Sequence, residues 1–284
     1  MSVFGRLRFA AARNRAVRAM ARTAAPRIVV FTMGKSGSTA IARAVEAHLG
    51  VRAFQVFRLE PGALAAATAR FEARNPRGEG PTLHRHFPGA LHLWEAEFLQ
   101  DHRPTEAEPW IVCTTVREPV AQAVSAYFHG SEHAHRARST DVDPSEVARA
   151  IVDQGWLRRS VRWFEREFIP ALGIDAFATP FPHDRGWDVL TSRAARVLLL
   201  RQENLDAAPS ALQALLGSDG VVPVEPHNVG SAKAYGSAYD AFLRRGRFEP
   251  DTLDWAYGSR YARHFYTEAE LSSFRDRWGS KIDA

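Results

Sequence analysis

Three groups of residues have the types and spacing to handle a phosphorylated ligand. The first is Gly34-Lys35-Ser36-Gly37-Ser38-Thr39, small residues and hydroxyls around one lysine. The second is Arg117, with Ser125 eight positions further on. The third is His84 and His86, shortly before Pro88. Backbone N–H groups at a helix N-terminus have no partner within the helix, and the helix dipole favours an anion there. Glycine lets backbone approach a phosphate closely, lysine adds a full charge, and the hydroxyls add donors. An arginine fork grips a phosphate from two nitrogens. A neutral histidine accepts a proton near neutral pH.

The surrounding pattern supplies elements to position these groups. Ile28 to Thr32 are apolar or β-branched and predict a buried strand. Ile41, Val45 and Leu49 recur at four-residue spacing and predict a helix ending near Gly50. Strand, Gly/Ser loop and helix form the frame of a phosphate cradle. It is not a Walker A loop, which places its lysine at the end, directly after the second of two glycines separated by four residues. Lys35 stands at the start instead, within reach of a 5′-phosphate rather than a γ-phosphate, and no aspartate is placed to hold magnesium.

Trp110 to Val116 predict the clearest central strand, running into Arg117-Glu118-Pro119, with Pro119 suited to the first turn of the next helix. A strand is expected within 51–59, and 60–80 read as helix and loop. Residues 81–88 read as a short strand whose C-terminal end carries His84 and His86, the end from which parallel strands serve a site. Residues 131–145 read as a polar loop, and Leu157, Val161, Phe164 and Phe168 mark an amphipathic helix. Arg196 to Arg201 predict another buried strand, followed by Gln202-Glu203-Asn204-Leu205 and a helix over 207–216. A loop around Lys233 enters a helix, and 250–278 are helical and rich in aromatics. The expectation is one α/β domain over 28–284, three-layered around a central parallel sheet, with the strand ending at Thr32 beside the strand ending at Val116.

The 284 residues can bury a large core, and the single cysteine, Cys113, excludes an intrachain disulfide framework. A net charge of +5 and a pI of about 9.7 are compatible with anionic substrates, nucleic acid or an anionic membrane. Residues 1–27 hold Arg6, Arg8, Arg13, Arg15, Arg18, Arg22 and Arg27 and no acid. They contain no apolar run long enough for a membrane span. A solvated basic tail, a transit peptide and a basic helix lying on a membrane all have this composition.

Taken in order, the loop, the Arg117…Ser125 pair and Glu203-Asn204-Leu205 after a late strand resemble the sulfotransferases that use 3′-phosphoadenosine 5′-phosphosulfate (PAPS). More narrowly, three stretches resemble the bacterial capsular-polysaccharide-synthesis family, which is sulfotransferase-like. They are Trp163-Phe164-Glu165-Arg166-Glu167 with Gly173-Ile174-Asp175, Lys233-Ala234-Tyr235, and His264-Phe265-Tyr266-Thr267 through Trp278. Alanine stands at 234 where that family commonly has tryptophan. Arg43 stands where heparan-type enzymes carry a glutamate base, and Glu46 is a turn too late. His86-Phe87-Pro88 is similar to the histidine step of the cytosolic-type enzymes.

The resemblance implies a P-loop-like sulfotransferase fold and transfer of a sulfuryl group from PAPS to a hydroxyl of a saccharide or glycolipid, with 3′-phosphoadenosine 5′-phosphate (PAP) as product and no metal. It places the 5′ end on Gly34, Lys35, Ser36, Gly37, Ser38 and Thr39 and the 3′-phosphate on Arg117 and Ser125. Lys233 is either a further 3′-phosphate ligand or a solvated lysine. Lys35 faces the leaving oxygen, and the base is His86 or His84. It further implies a cytoplasmic enzyme of surface-polysaccharide synthesis, with peripheral membrane contact through the basic N-terminal stretch and no nucleic acid. Two other readings stand beside it. A nucleotide kinase or phosphotransferase would share the loop but require magnesium. A non-enzymatic basic protein binding membrane or nucleic acid would account for the charge but not for the paired motifs.

Overall fold

A computed structural model of the chain describes residues 3–23, 26–74, 88–130, 143–217, 224 and 236–279. The apolar runs form the strands they predict. β1 (Arg27–Phe31), β2 (Ala53–Val56), β3 (Trp110–Val116) and β5 (Ala195–Arg201) run parallel, and β4 (Trp187–Thr191) lies antiparallel on β5. The sheet order is β2-β1-β3-β5-β4. β1 and β3 are neighbours, with Ile28 opposite Ile111, so the loops leaving their C-terminal ends are adjacent. The strand expected within 51–59 is confined to Ala53–Val56, and the one expected over 81–88 falls mostly outside the described residues.

Side chains alternate across each strand, and helices cover both faces. Val29, Phe31, Val112 and Val197 point into one core, with helices α4 (Pro88–Asp101), α5 (Pro119–His129) and α7 (Trp156–Trp163). Ile28, Val30, Cys113 and Leu198 point into a second, with α2 (Ser38–Leu49) and α8 (Ala208–Leu216). The first core also holds α10 (Pro250–Tyr257), α11 (Arg260–Phe265) and α12 (Glu268–Trp278), whose Tyr257, Tyr261, Phe265 and Trp278 are fully buried. The remaining helices are α3 (Pro61–Arg74), α6 (Pro144–Asp153) and α9 (Gly236–Arg245). α7 continues through a π-helical turn, Phe164–Phe168, into a last turn, Ile169–Leu172.

The N-terminal stretch differs from a solvated tail. Val3–Met20 form α1, whose Ala12, Ala16 and Met20 are buried, while Arg13 pairs with Glu97 of α4 at 2.8 Å. Those apolar positions at four-residue spacing make a stripe that docks, and Arg13, Arg15 and Arg18 stand exposed on the other faces. No helix among the described residues is long and apolar enough to cross a membrane.

Candidate functional site

The chain leaves β1 in a tight turn. Gly34, Lys35 and Gly37 have φ of 76°, 57° and 89°. The left-handed region costs glycine nothing but is uncommon for lysine, so Lys35 is held there by its surroundings. Thr32 Oγ1 accepts from Gly34 N at 3.1 Å and starts the turn. A Cβ at Gly37 would lie 3.3 Å from Leu205 Cδ1. α2 begins at Ser38 with no side-chain cap, which leaves its first N–H groups for an anion. The hydroxyls are less free than their composition predicts. Ser36 Oγ is buried and shares a 2.7 Å hydrogen bond with Thr115 Oγ1 of β3. Ser38 Oγ accepts from Gln55 Nε2 at 2.8 Å and keeps its own proton to donate.

Arg117 closes the loop from the neighbouring strand. Its Nη1 donates to the Lys35 carbonyl at 2.7 Å, joining the two anion motifs directly. Gln122 of α5 reaches the same turn and donates to Gly34 O at 3.0 Å, while its Oε1 accepts from the Ser160 hydroxyl of α7. Ser125 is buried further along α5.

A buried polar network fixes the turn that carries Arg117. Tyr261 Oη accepts from Arg117 N at 3.1 Å and donates to Arg117 O at 2.7 Å. Glu118 caps α5, accepting from Val120 N and Ala121 N, each at 2.7 Å, as well as from Tyr257 Oη at 2.8 Å and Trp278 Nε1 at 3.1 Å. Burial pushes its carboxyl above the usual range, and these four donors pull the other way. Glu203 accepts from Glu118 N at 2.8 Å and from Tyr266 Oη at 3.0 Å. Glu203-Asn204-Leu205 thus braces both halves: Glu203 holds the Arg117 turn and Leu205 lies over Gly37.

His84, His86 and Lys233 lie outside the described residues. Sequence reasoning missed His92, on α4. Its Nδ1 is 2.7 Å from Gln55 O, and its ring stands edge-on to Phe57 at 4.7 Å. Phe57 is in turn the side chain nearest a Cβ built on Gly34, at 3.6 Å. A carbonyl only accepts, so Nδ1 carries the hydrogen and Nε2 the lone pair. Sequence reasoning also missed Gln122, Tyr261 and Ser160. Gln122 alone leaves a local trace, as a polar residue inside the apolar run Val120–Val124. A separate pocket of about 330 Å³ between α7, α10 and α11 is lined by Tyr261 but by none of the loop residues.

The geometry defines an α/β protein with a tight positive-φ turn, an uncapped helix start and Arg117 gathered at the C-terminal edge of its mostly parallel central sheet. Over residues 146–267 the chain matches the model of a family described as "Putative capsular polysaccharide synthesis protein". The matched span contains Glu203, Tyr257, Tyr261 and Tyr266, which brace the Arg117 turn, and not Lys35 or Arg117 themselves. No curated protein and no solved structure matches the chain.

Proposed function

We propose that the protein is a PAPS-dependent sulfotransferase of the three-layer, P-loop-like kind, acting on a saccharide or glycolipid hydroxyl in surface-polysaccharide synthesis. The observation that carries the reading is the Arg117–Lys35 hydrogen bond, which puts a second cationic anchor against a phosphate loop on adjacent parallel strands. The residues present fit such a nucleotide. The backbone at Gly34–Gly37 is shaped for close approach, and the start of α2 offers uncapped N–H groups. Lys35 and Arg117 add two charges for two phosphate groups. When bound, PAPS would supply the activated sulfuryl group.

The chain's own residues then divide the work. The loop amides and Lys35 would hold the 5′ end, and Lys35 would offset charge growing on the leaving oxygen. Arg117, with one guanidinium nitrogen on Lys35 O, would turn its remaining donors to the 3′-phosphate, with Ser125 and Lys233 as further donors. The acceptor proton would pass to a neutral histidine, His86 or His84 on the family resemblance.

Calorimetric titration with PAP in the absence of metal tests the reading. Micromolar binding is expected, stronger than binding of ATP with magnesium. The reverse order would favour a kinase or phosphotransferase.

A further inference from the structure

A second cationic cluster stands on the other flank of the loop. Arg117 leaves β3 on one side of β1, and Arg58 follows β2 on the opposite side. Phe57, next to Arg58, lies against Gly34. The segment after Phe57 is clamped to α7 and its continuation: Trp163 Nε1 donates to Phe57 O at 3.0 Å, and Glu167 Oε2 accepts from Leu59 N at 2.9 Å and Glu60 N at 3.0 Å.

Arg159 lies one turn before Trp163. Its neighbour Ser160 is buried and linked through Gln122 to Gly34 O, while Arg159 is exposed on an adjoining face of the helix whose Trp163 holds Phe57, the residue before Arg58. The Arg159 guanidinium is stacked over the Trp156 ring at 4.2 Å, which holds it flat and in place. Trp156 packs where Gly130 ends α5.

Arg70, on α3, completes the group. It repels both Arg58 and Arg159, and those two repel each other. Among the described residues no carboxylate hydrogen-bonds to any of the three. The acid that offsets Arg58, Glu167, already receives the Leu59 and Glu60 amides. Like charges gathered on one part of the surface raise the local positive potential and favour an anion there.

We propose that Arg58, Arg70 and Arg159 form the subsite for the acidic group, carboxylate or phosphate, of an anionic saccharide acceptor, across the loop from Arg117. The assignment of this subsite to an acceptor rests on the sulfuryl-transfer reading; the anion site itself rests on the arginines. A guanidinium fork matches both groups, and a negatively charged acceptor is drawn to the loop by the field of the cluster.

The test uses the full chain saturated with PAP. Three probes are titrated: a glucuronate-containing disaccharide, the same disaccharide with its carboxyl reduced to the alcohol, and glucose 1-phosphate. The acidic probes are expected to bind at least about tenfold more tightly than the neutral one. Which acidic probe binds better identifies carboxylate or phosphate as the preferred group. Arg58→Gln and Arg159→Gln should each remove most of that preference, roughly tenfold as for one charge-assisted hydrogen bond, and leave PAP affinity within about twofold. Arg70→Gln, at an exposed position, should act in the same direction and leave the melting temperature unchanged; it keeps the test sound if Arg58→Gln unfolds the chain. Equal binding of neutral and acidic disaccharides overturns the proposal, as does failure of all three to bind. Loss of PAP affinity in the arginine variants also overturns it, because the cluster would then belong to the nucleotide. If PAP fails to bind the unaltered chain, the sulfotransferase reading falls, and the same titrations without PAP still decide whether the arginines hold an acidic saccharide.

Discussion

The Tyr261 hydroxyl holds both backbone polar groups of Arg117, accepting from its N–H and donating to its carbonyl, across 144 positions of sequence. One phenol thereby ties α11, in the stretch matched by the polysaccharide-synthesis family, to the turn after β3. Tyr261→Phe keeps the ring and removes both bonds. The two buried backbone groups would lose their partner at a cost of about 1–3 kcal/mol. A lower urea midpoint is expected, together with weaker PAP binding, because Arg117 is no longer aimed. Unchanged PAP affinity in a destabilised variant would reduce Tyr261 to a structural role.

Gly37 makes a sharper probe of the loop, since two constraints meet there. Its φ of 89° is strained for any side chain, and an added Cβ would press on Leu205 at 3.3 Å. Gly37→Ala should destabilise by about 1–3 kcal/mol, the range for strained backbone, and weaken PAP binding. Gly50 is the control: its φ is 64°, but a Cβ there meets nothing within 4 Å and it caps the far end of α2. Gly50→Ala should cost stability and spare PAP affinity.

What could be foreseen from sequence, and what could not, follows from range and burial. β1, β3 and β5 are buried on both faces, so they read as unbroken apolar runs, and each brought its loop with it. β4 did not show itself. As a half-buried edge strand carrying Asp188 and Thr191 it has no such run. α1 was obscured by its arginines, which outnumber the small apolar residues of its docked stripe. The braces on Arg117 join residues far apart in sequence, so no local pattern could reveal them, although Glu203 stood inside a recognisable motif. Met33–Gly37 were legible as a loop, yet that Ser36 would spend its hydroxyl on Thr115 was not.

If the proposed reaction is right, Lys35, Arg117 and the histidines act on different parts of it and should separate kinetically. Arg117→Ala should mainly weaken PAP binding, by roughly ten- to a hundredfold for a charge-assisted fork worth about 1.5–3 kcal/mol. Lys35→Ala should lower binding and kcat together. His86→Ala should leave PAP affinity near normal and cut kcat by about 10²–10⁴, the usual worth of a positioned base, while His84→Ala costs far less. A dead His84→Ala with an active His86→Ala would exchange the two roles and leave the family reading intact. If neither matters, His92 is the next histidine to substitute.

His92 also makes a prediction that needs no substrate. Burial lowers its pKa below 6.5, and the bond to Gln55 O opposes this more weakly. In the unfolded chain a histidine titrates near about 6.5. Just below that pH the unfolded state therefore binds more protons than the folded one, and stability falls as pH falls. The contribution is complete above about 7.5, one unit over the unfolded pKa, and is lost progressively through the unfolded value down to the folded one. His264 shifts in the same direction, also through burial, so the slope of the native chain alone does not isolate His92. The measurement is the urea midpoint of the native chain and of His92→Gln at a series of pH values from about 8 to about 5.5, bracketing the ordinary histidine pKa. Gln cannot titrate, so the variant should show the shallower loss on acidification. Parallel slopes in the two proteins would mean that His92 is not held neutral by its position between Gln55 and Phe57.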